Sequence, residues 1–155
     1  MITQTLHQNW TLDMPGIGKL PAAVPGSVYA DLLAAGKLED PFWRDNEDKA
    51  LALMENDFLY TESFTPQQGI LDCPCQVLRF EGIDTVADIR LNGVLLSHVE
   101  NMHRTFEFDV AGILKPGENW LEVKLYSPTR WIREKYAQSP ADGSSDAMRG
   151  FANLR

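Results

Sequence analysis

The chain has 155 residues, 44% hydrophobic and 23% charged, which is the size and composition of one globular domain. Its formal net charge of −8 argues against a nucleic-acid-binding protein and against docking on an anionic membrane. No apolar run approaches the ~20 residues of a membrane span, and the opening residues lack a signal pattern, so we expect a cytoplasmic protein.

The first third of the chain alternates extended segments with helical turns. Trp10 and Leu12 have the spacing of inward-facing strand residues, and Ser27 is a good N-cap with Asp31 in the first turn after it. The predicted elements are a strand at 5–12, a turn at 14–18, an extended segment at 19–23, a helix at 28–35 and a further helical turn or two within 48–55.

Phe42 and Trp43 are large apolar side chains inside a polar loop, which Pro41 keeps extended at its start. One interpretation is that both rings plug one end of the hydrophobic core. The other is that Trp43 forms a stacking platform for a sugar ring, which suits an aromatic face.

The middle of the chain predicts strands joined by tight turns. Asn92-Gly93 stands between two apolar runs, which is the strongest short signal for a hairpin with a type I′ turn. The period-two segments are 58–64, 78–80, 87–91, 106–110 and 120–126, and 94–96 is the apolar run after the Asn92-Gly93 turn. We expect 78–110 to organise one sheet, and the total of seven or eight short strands predicts an all-β antiparallel sandwich or jelly roll.

The residue types that carry chemistry are scattered. His7 and His98 are interpreted as surface or edge histidines, and no His pair has metal spacing, so no metal site is predicted. Cys73 and Cys75 flank Pro74 in one loop and are interpreted as reduced surface thiols, because a Cys-x-Cys bridge is strained. No pair of carboxylates can be placed across a bond from the sequence alone.

Residues 100–104 interrupt the alternation between Val99 and Phe106. They bring a carboxylate, an amide, an imidazole and a guanidinium together where a sandwich has an end loop. Binding residues favour such loops on rigid scaffolds, whereas the alternative is a plain polar loop.

The last part of the chain predicts a helix at 129–138, followed by a mobile Ser/Gly/Asp-rich stretch at 139–147. The apolar side chains of this range would lack enough core within the domain, and they are Trp131, Tyr136, Met148, Phe151 and Leu154. The range 129–155 is therefore our candidate for a surface that docks on another domain.

Several motifs occur in one order along nearly the whole chain. They are Pro25-Gly26-Ser27-Val28-Tyr29, Asp40-Pro41-Phe42 with Asn46-Glu47, Leu91-Asn92-Gly93, Asn101-Met102-His103-Arg104 and Gly117-Glu118-Asn119. Together they resemble the N-terminal domain of the β-mannosidases of glycoside hydrolase family 2.

The resemblance implies a jelly-roll β-sandwich of the galactose-binding-domain-like type, with one or two short helices. Residues 1–128 would form this sandwich, and 129–155 would be a C-terminal segment of the same domain, truncated and partly mobile. In that family the domain packs against an immunoglobulin-like sandwich and a (β/α)8 barrel, which supplies the paired glutamates of a retaining hydrolase. A Gly-Trp-Asp-Trp motif follows the position matching 153–155, and no cofactor is expected.

The resemblance therefore predicts an accessory domain of an enzyme that removes terminal β-linked mannose from oligosaccharides, without catalytic residues of its own and inactive when isolated. It places Asn101 near the substrate, with His103 and Arg104 as neighbours. Two other functions stay open, which are a free-standing carbohydrate-binding module and a purely structural interface.

Overall fold

The computed structural model describes residues 1–139 and the backbone of residues 145–146 and 151–152. Its elements in chain order are β1 (Thr11–Met14), β2 (Gly18–Pro21), α1 (Val28–Ala34), α2 (Asn46–Leu53), β3 (Phe58–Phe64), β4 (Val77–Phe80), β5 (Ala87–Leu91), β6 (Val94–Val99), β7 (Phe106–Asp109), β8 (Asn119–Leu125), α3 (Pro128–Gln138), β9 (Ser145–Asp146) and β10 (Phe151–Ala152). Most of the stretch at 139–147 that was predicted to be mobile lies outside the described residues.

The strands form a six-stranded sheet in the order β2-β1-β3-β8-β5-β6, a second sheet of β4 and β7, and the short pair β9-β10. Neighbouring strands are antiparallel throughout. The predicted all-β sandwich is confirmed, and it carries three helices in the described region.

The core lies on the face of the six-stranded sheet where alternate residues of β1, β3, β5 and β8 are buried. Alternate apolar residues of β4 and β7, among them Phe80 and Phe108, pack against it from the second sheet. The fully buried core side chains include Leu12, Met14, Leu32, Ile89, Leu91, Leu121 and Val110. Period-two burial is what two facing layers require.

The expectation that residues 78–110 form one sheet is wrong. β5 and β6 pair through the Asn92-Gly93 turn, whereas Leu78 of β4 lies opposite Phe108 of β7 in the other layer. Each hairpin-like pair has only one apolar face, so the two pairs bury their faces against each other rather than side by side.

The first strand begins later than predicted. Asn9 has a positive φ of 62°, and the indole N–H of Trp10 donates to the Leu6 carbonyl at 3.2 Å, so the chain turns before Thr11. Trp10 and Leu12 are nevertheless buried, as the alternation indicated. Residues 5–10 of the predicted strand are therefore not extended strand, and local side-chain bonding forms a bend there instead.

Helix α1 begins as the sequence predicts. The Ser27 hydroxyl accepts the N–H of Ala30 at 3.2 Å, and Leu32 is fully buried. Gly26 is needed just before the cap, because a Cβ there would lie 2.2 Å from the Ala23 carbonyl oxygen. The Pro-Gly-Ser motif therefore specifies both a close backbone approach and a helix start.

Helix α3 is held to the rest of the domain through its first turn. The hydroxyls of Ser127 and Thr129 donate to the Met54 carbonyl at 2.6 and 3.1 Å, and Ser127 also accepts the N–H of Arg130. No residue of α3 is fully buried. Of the predicted docking residues, Trp131 is half-buried and Tyr136 is exposed, while the side chain of Phe151 lies outside the described residues.

Candidate functional site

One end of the six-stranded sheet carries the loop that sequence reasoning singled out. Strand register aligns Val99, the last residue of β6, with Ala87, Leu125 and Phe58 on β5, β8 and β3. Residues 100–104, here called the end loop, continue from Val99 at that end. The α2–β3 corner and the start of α3 lie at the same end of the sheet.

The end loop is organised by its own side chains. The Asn101 Oδ1 atom accepts the backbone N–H of His103 at 2.9 Å, which closes a local turn. The Arg104 guanidinium lies over the ring of Phe106, 5.9 Å from its centroid. Asn101, His103 and Arg104 are all exposed, so the loop presents an amide, an imidazole and a cation to solvent. Groups of this kind can hydrogen-bond sugar hydroxyls.

Glu100 at the start of the loop is linked to the sheet through His98. The His98 Nδ1 atom is 2.7 Å from Oδ1 of Asp88, and its Nε2 atom is 3.4 Å from Oε1 of Glu100. The Tyr126 hydroxyl donates to the other oxygen of Asp88 at 2.9 Å, and its ring centroid lies 5.8 Å from that of His98. A chain of four side chains therefore connects the end loop to Asp88 on β5 and to Tyr126, the residue after β8.

The electrostatics of this chain follow from its charges. The hydrogen bond to Asp88 raises the pKa of His98, partial burial opposes the rise, and Glu100 adds to it. The same His98 contact lowers the pKa of the Asp88 carboxyl, against a smaller effect of burial. Burial first, and then the bond to Asp88, raise the pKa of Tyr126. The arrangement favours an imidazolium between two carboxylates.

The polar row continues across the outer face of the sheet. Lys124 lies over the Tyr126 ring at 4.6 Å and pairs with Asp57 at 3.2 Å, and Asp57 also contacts Arg130 of α3. Burial pushes the pKa of Asp57 up, but the Ser127 N–H, Lys124 and Arg130 outweigh it, so the pKa lies below its ordinary value. The end loop and α3 are thus the two ends of one charged row.

Trp43 lies on a different loop, between α1 and α2. Phe42 is 97% exposed and Trp43 is 62% exposed, so the interpretation that these rings plug the core is wrong. The loop folds back on polar atoms of Asp40, which accept the N–H groups of Phe42 and Trp43, and this turns both rings outward. The Arg44 guanidinium lies 5.5 Å from the Trp43 ring centroid.

A shallow groove of about 260 Å³ lies beside this loop, lined by Lys37, Leu38, Glu39, Asn46, Lys49 and Leu53. Its polar groups pair with one another, since the Lys49 ammonium donates to Glu39 at 2.7 Å and to Asn46 at 3.3 Å. Trp43 is not among the residues that line this groove, and its exposed ring alone is the feature that can stack on a sugar.

The structure therefore joins Asn101 to His103, turns Arg104 toward Phe106, and leaves Trp43 on a separate loop. Sequence reasoning missed Asp88, His98 and Tyr126 as supports of the end loop. The period-two pattern already put Asp88 outward, but nothing in it paired Asp88 with His98. Among the described residues, no three His, Cys, Asp or Glu side chains converge as metal ligands.

No helix in the described part of the chain has the length and apolar character needed to cross a membrane. Cys73 and Cys75 both carry free thiols, and Cys75 is exposed.

Comparison with known proteins defines the class. The family described as "Glycosyl hydrolase 2 galactose-binding domain-like" matches residues 4–153, so the chain belongs to that family. The resemblance seen in the motifs is thereby confirmed.

The particular relatives are β-mannosidases. The β-mannosidase of Capra hircus is 31% identical over 136 residues, which cover 87% of this chain and 15% of the relative. β-Mannosidase A of Aspergillus aculeatus is 30% identical over 86% of this chain and 14% of its own length. The chain thus spans less than a sixth of these curated relatives.

Solved structures agree. The β-D-mannosidase of Dictyoglomus thermophilum superposes with a TM-score of 0.83 at 34% identity, covering 88% of this chain and 17% of that one. The exo-chitosanase CsxA of Amycolatopsis orientalis superposes with a TM-score of 0.63 at 22% identity, a likeness of fold alone. The chain is similar to the N-terminal domain of β-mannosidase-like glycoside hydrolases of family 2.

Proposed function

We propose that this chain is the N-terminal accessory domain of a retaining β-mannosidase that hydrolyses terminal non-reducing β-D-mannose residues from oligosaccharides. The observation that carries the proposal is the family match over residues 4–153, together with β-mannosidase relatives by both sequence and structure. The match covers only 15% of the Capra hircus relative, which supports further domains in the same protein. An immunoglobulin-like sandwich and a catalytic (β/α)8 barrel are the proposed partners within it.

The proposed role of this domain is to shape the mouth of the pocket with the end loop. Asn101 is the proposed hydrogen-bond partner of the substrate, because its amide is exposed and held in a defined turn by the His103 N–H. His103 and Arg104 are its proposed neighbours. The domain supplies no catalytic pair, and the barrel supplies both glutamates.

The first experiment uses the 155-residue chain as it stands. With an aryl β-mannoside we expect no turnover above the uncatalysed rate. Hydrolysis at enzyme-like rates would refute the accessory role, because the catalytic glutamates would then have to lie within this chain.

The second experiment places Asn101→Ala in the longer protein that the proposal requires. We expect a fall in kcat/KM of about tenfold, the effect of one lost hydrogen bond to substrate. Glu118→Ala is the matched control, since Glu118 is exposed in the turn before β8. Equal activity of the two variants would show that Asn101 makes no hydrogen bond to the substrate.

A free-standing carbohydrate-binding module is the second candidate, and the exposure of the Trp43 ring favours it. The test is titration of the chain with manno-oligosaccharides. Saturable binding that is lost in Trp43→Ala supports the module. Trp120→Ala is the control, because Trp120 is a comparably exposed ring on β8. Absence of binding favours the accessory domain.

A further inference from the structure

We propose that His98 is a positioning residue, whose doubly protonated imidazolium ties the start of the end loop to the six-stranded sheet and so fixes the position of Asn101. The inference rests on the proposed function only where it gives the end loop a substrate-facing role. As a statement about the loop it stands on its own geometry.

The first step is the placement of the imidazole. Both of its nitrogens face a carboxylate, with Nδ1 2.7 Å from Asp88 and Nε2 3.4 Å from Glu100. A neutral imidazole carries one N–H and can donate to only one of these partners, whereas the imidazolium donates to both. Nδ1 is at hydrogen-bond distance and Nε2 is at ion-pair distance from its carboxylate, and a carboxylate on each side of the ring favours the charged form.

The second step is the difference between the two carboxylates. Asp88 belongs to the sheet, its side chain is 18% exposed, and its second oxygen accepts the Tyr126 hydroxyl. Glu100 belongs to the loop, and its side chain is 47% exposed. Asp88 is thus the fixed end of the contact, and Glu100 is the end that can move.

The third step accounts for the other charges around the ring. From β5, Arg90 lies two residues from Asp88 on the same face, and from β8, Lys124 is the cross-strand neighbour of Asp88. Asp57 at the α2–β3 corner pairs with Lys124. These cations oppose protonation of His98, but neither makes a direct contact with its ring in the described structure, whereas both carboxylates do.

The fourth step follows the proton. When the imidazolium loses one proton, the remaining N–H stays on Nδ1 toward Asp88, the shorter and less exposed contact. The Nε2 lone pair then faces the Glu100 carboxylate, and that contact becomes repulsive. Glu100 then separates from the ring. The side-chain contact that holds the segment next to Asn101 against the sheet is lost.

The sign of the pH dependence follows. The pKa of His98 is raised above its ordinary value of 6.5 in the folded chain. The contact is therefore complete below pH 6.5 and is lost as the pH rises through the raised value. The loop is fixed on the acidic side and released on the alkaline side.

The experiment is an NMR titration of the isotope-labelled 155-residue chain from about pH 5 to about pH 9, a range that brackets the ordinary histidine pKa. His103 is a second imidazole inside the loop, so the background variant is His103→Gln, which leaves His98 as the one imidazole near the loop amides. In this background we expect the amide signals of residues 100–102 to shift with the same midpoint as the His98 ring. That midpoint should lie above 6.5.

Two further variants make the test specific. His98→Gln should abolish the pH-dependent shift of the loop amides, and Glu100→Gln should lower the midpoint of the His98 ring. His7→Gln, which removes another exposed imidazole, should change neither. A loop midpoint that differs from that of His98, or a loop shift that survives in His98→Gln, overturns the inference.

Failure of this inference and failure of the proposed function are distinguishable. If the loop follows His98 but Asn101→Ala leaves the activity of the longer protein unchanged, the positioning contact stands and the substrate role of the loop falls. If Asn101→Ala lowers activity but the loop amides do not shift with the His98 midpoint, the substrate role of the loop stands and the positioning contact falls.

Discussion

The hydroxyl of Tyr60 donates to Oδ2 of Asp31 at 2.8 Å, a buried hydrogen bond that joins strand β3 to helix α1 across 29 positions of sequence. The other oxygen of Asp31 accepts the backbone N–H of Ala23 at 2.9 Å. One buried carboxylate thereby connects three segments. Burial first, and then the contact with Asp31, raise the pKa of the Tyr60 phenol, which stays protonated and remains a donor.

Tyr60→Phe removes this donor and leaves a buried carboxylate oxygen without its partner. We expect the free energy of unfolding to fall by about 1–3 kcal/mol, the usual cost of such a loss. Urea denaturation measures it. Tyr126→Phe removes the same atom from a less buried site and should cost less. A Tyr60 variant no less stable than the Tyr126 variant would contradict the role given to the buried bond.

Glu62 gives a pH-dependent prediction. It faces the core on β3, is 4% exposed, and its Oε2 atom has no hydrogen-bond partner among the described residues. Burial raises its pKa from 4.5 to about 7. The folded chain keeps this proton where the unfolded chain has lost it, so the contribution to stability is complete below pH 4.5 and is lost as the pH rises through about 7.

The measurement compares Glu62→Gln with the unchanged chain between those two pH values. We expect the stability difference to move in favour of the Gln variant by roughly 3 kcal/mol as the pH rises, following the size of the shift. Glu122→Gln, on the other face of the sheet, should show a much smaller trend. A difference independent of pH would mean that Glu62 is solvated.

Asn119 is fully buried, and its side chain makes hydrogen bonds to backbone groups of the turn before β8. Its Oδ1 accepts from Lys115 N and from the Asn92 amide, and its Nδ2 donates to the carbonyls of Lys115 and Gly117. Asn119→Ala leaves these backbone groups unpaired, with an expected loss of roughly 3 kcal/mol. Thermal denaturation measures it against exposed Glu118→Ala. Equal melting temperatures would show that water replaces the amide.

Ser127 caps helix α3 and bonds the Met54 carbonyl at the same time. Ser127→Ala should lower the free energy of local unfolding of α3 by about 1–2 kcal/mol, because the cap and the bond to Met54 are lost together. Amide hydrogen exchange should speed up in α3 and stay unchanged in the sheet. Ser27→Ala, which caps α1, is the comparison and should loosen α1 instead. Uniform acceleration in both variants would indicate global destabilisation.

Much of the fold follows from local patterns in the sequence. Strand β3 spans the predicted residues 58–64, where Phe58 and Tyr60 alternate with outward residues. Asn92 and Gly93 adopt φ values of 52° and 82°, as a type I′ turn requires. The Ser27 cap also gives helix α1 its predicted start. In each case the determining interactions lie within a few residues.

The support of the end loop by His98 could not be predicted, because it depends on strand register rather than on the spacing of residues. Counting outward from the Asn92-Gly93 turn pairs Asp88 with Ser97. A register shift between Ile89 and Arg90 moves the pairing by one residue, so that Asp88 meets His98. An irregularity of this kind carries no sequence signature here, yet it creates the contact that supports the end loop. The position of the loop was predictable, whereas its support was not.

The exposure of Phe42 and Trp43 could not be predicted for a related reason. Phe42 and Trp43 have the composition of core residues, and composition alone favours burial. Backbone N–H groups bonded to Asp40 set the direction of both rings, and such local geometry is invisible to a count of apolar side chains.

The two edge strands of the six-stranded sheet, β2 and β6, differ in sequence. Strand β2 ends in Pro21, which has no N–H to offer to an incoming chain. Strand β6 is the other edge strand among the described residues, and it carries half-exposed Val94 and Leu95. We therefore expect aggregation of concentrated samples to begin along β6. Leu95→Lys should suppress it, because a charge on an edge strand opposes pairing with another chain.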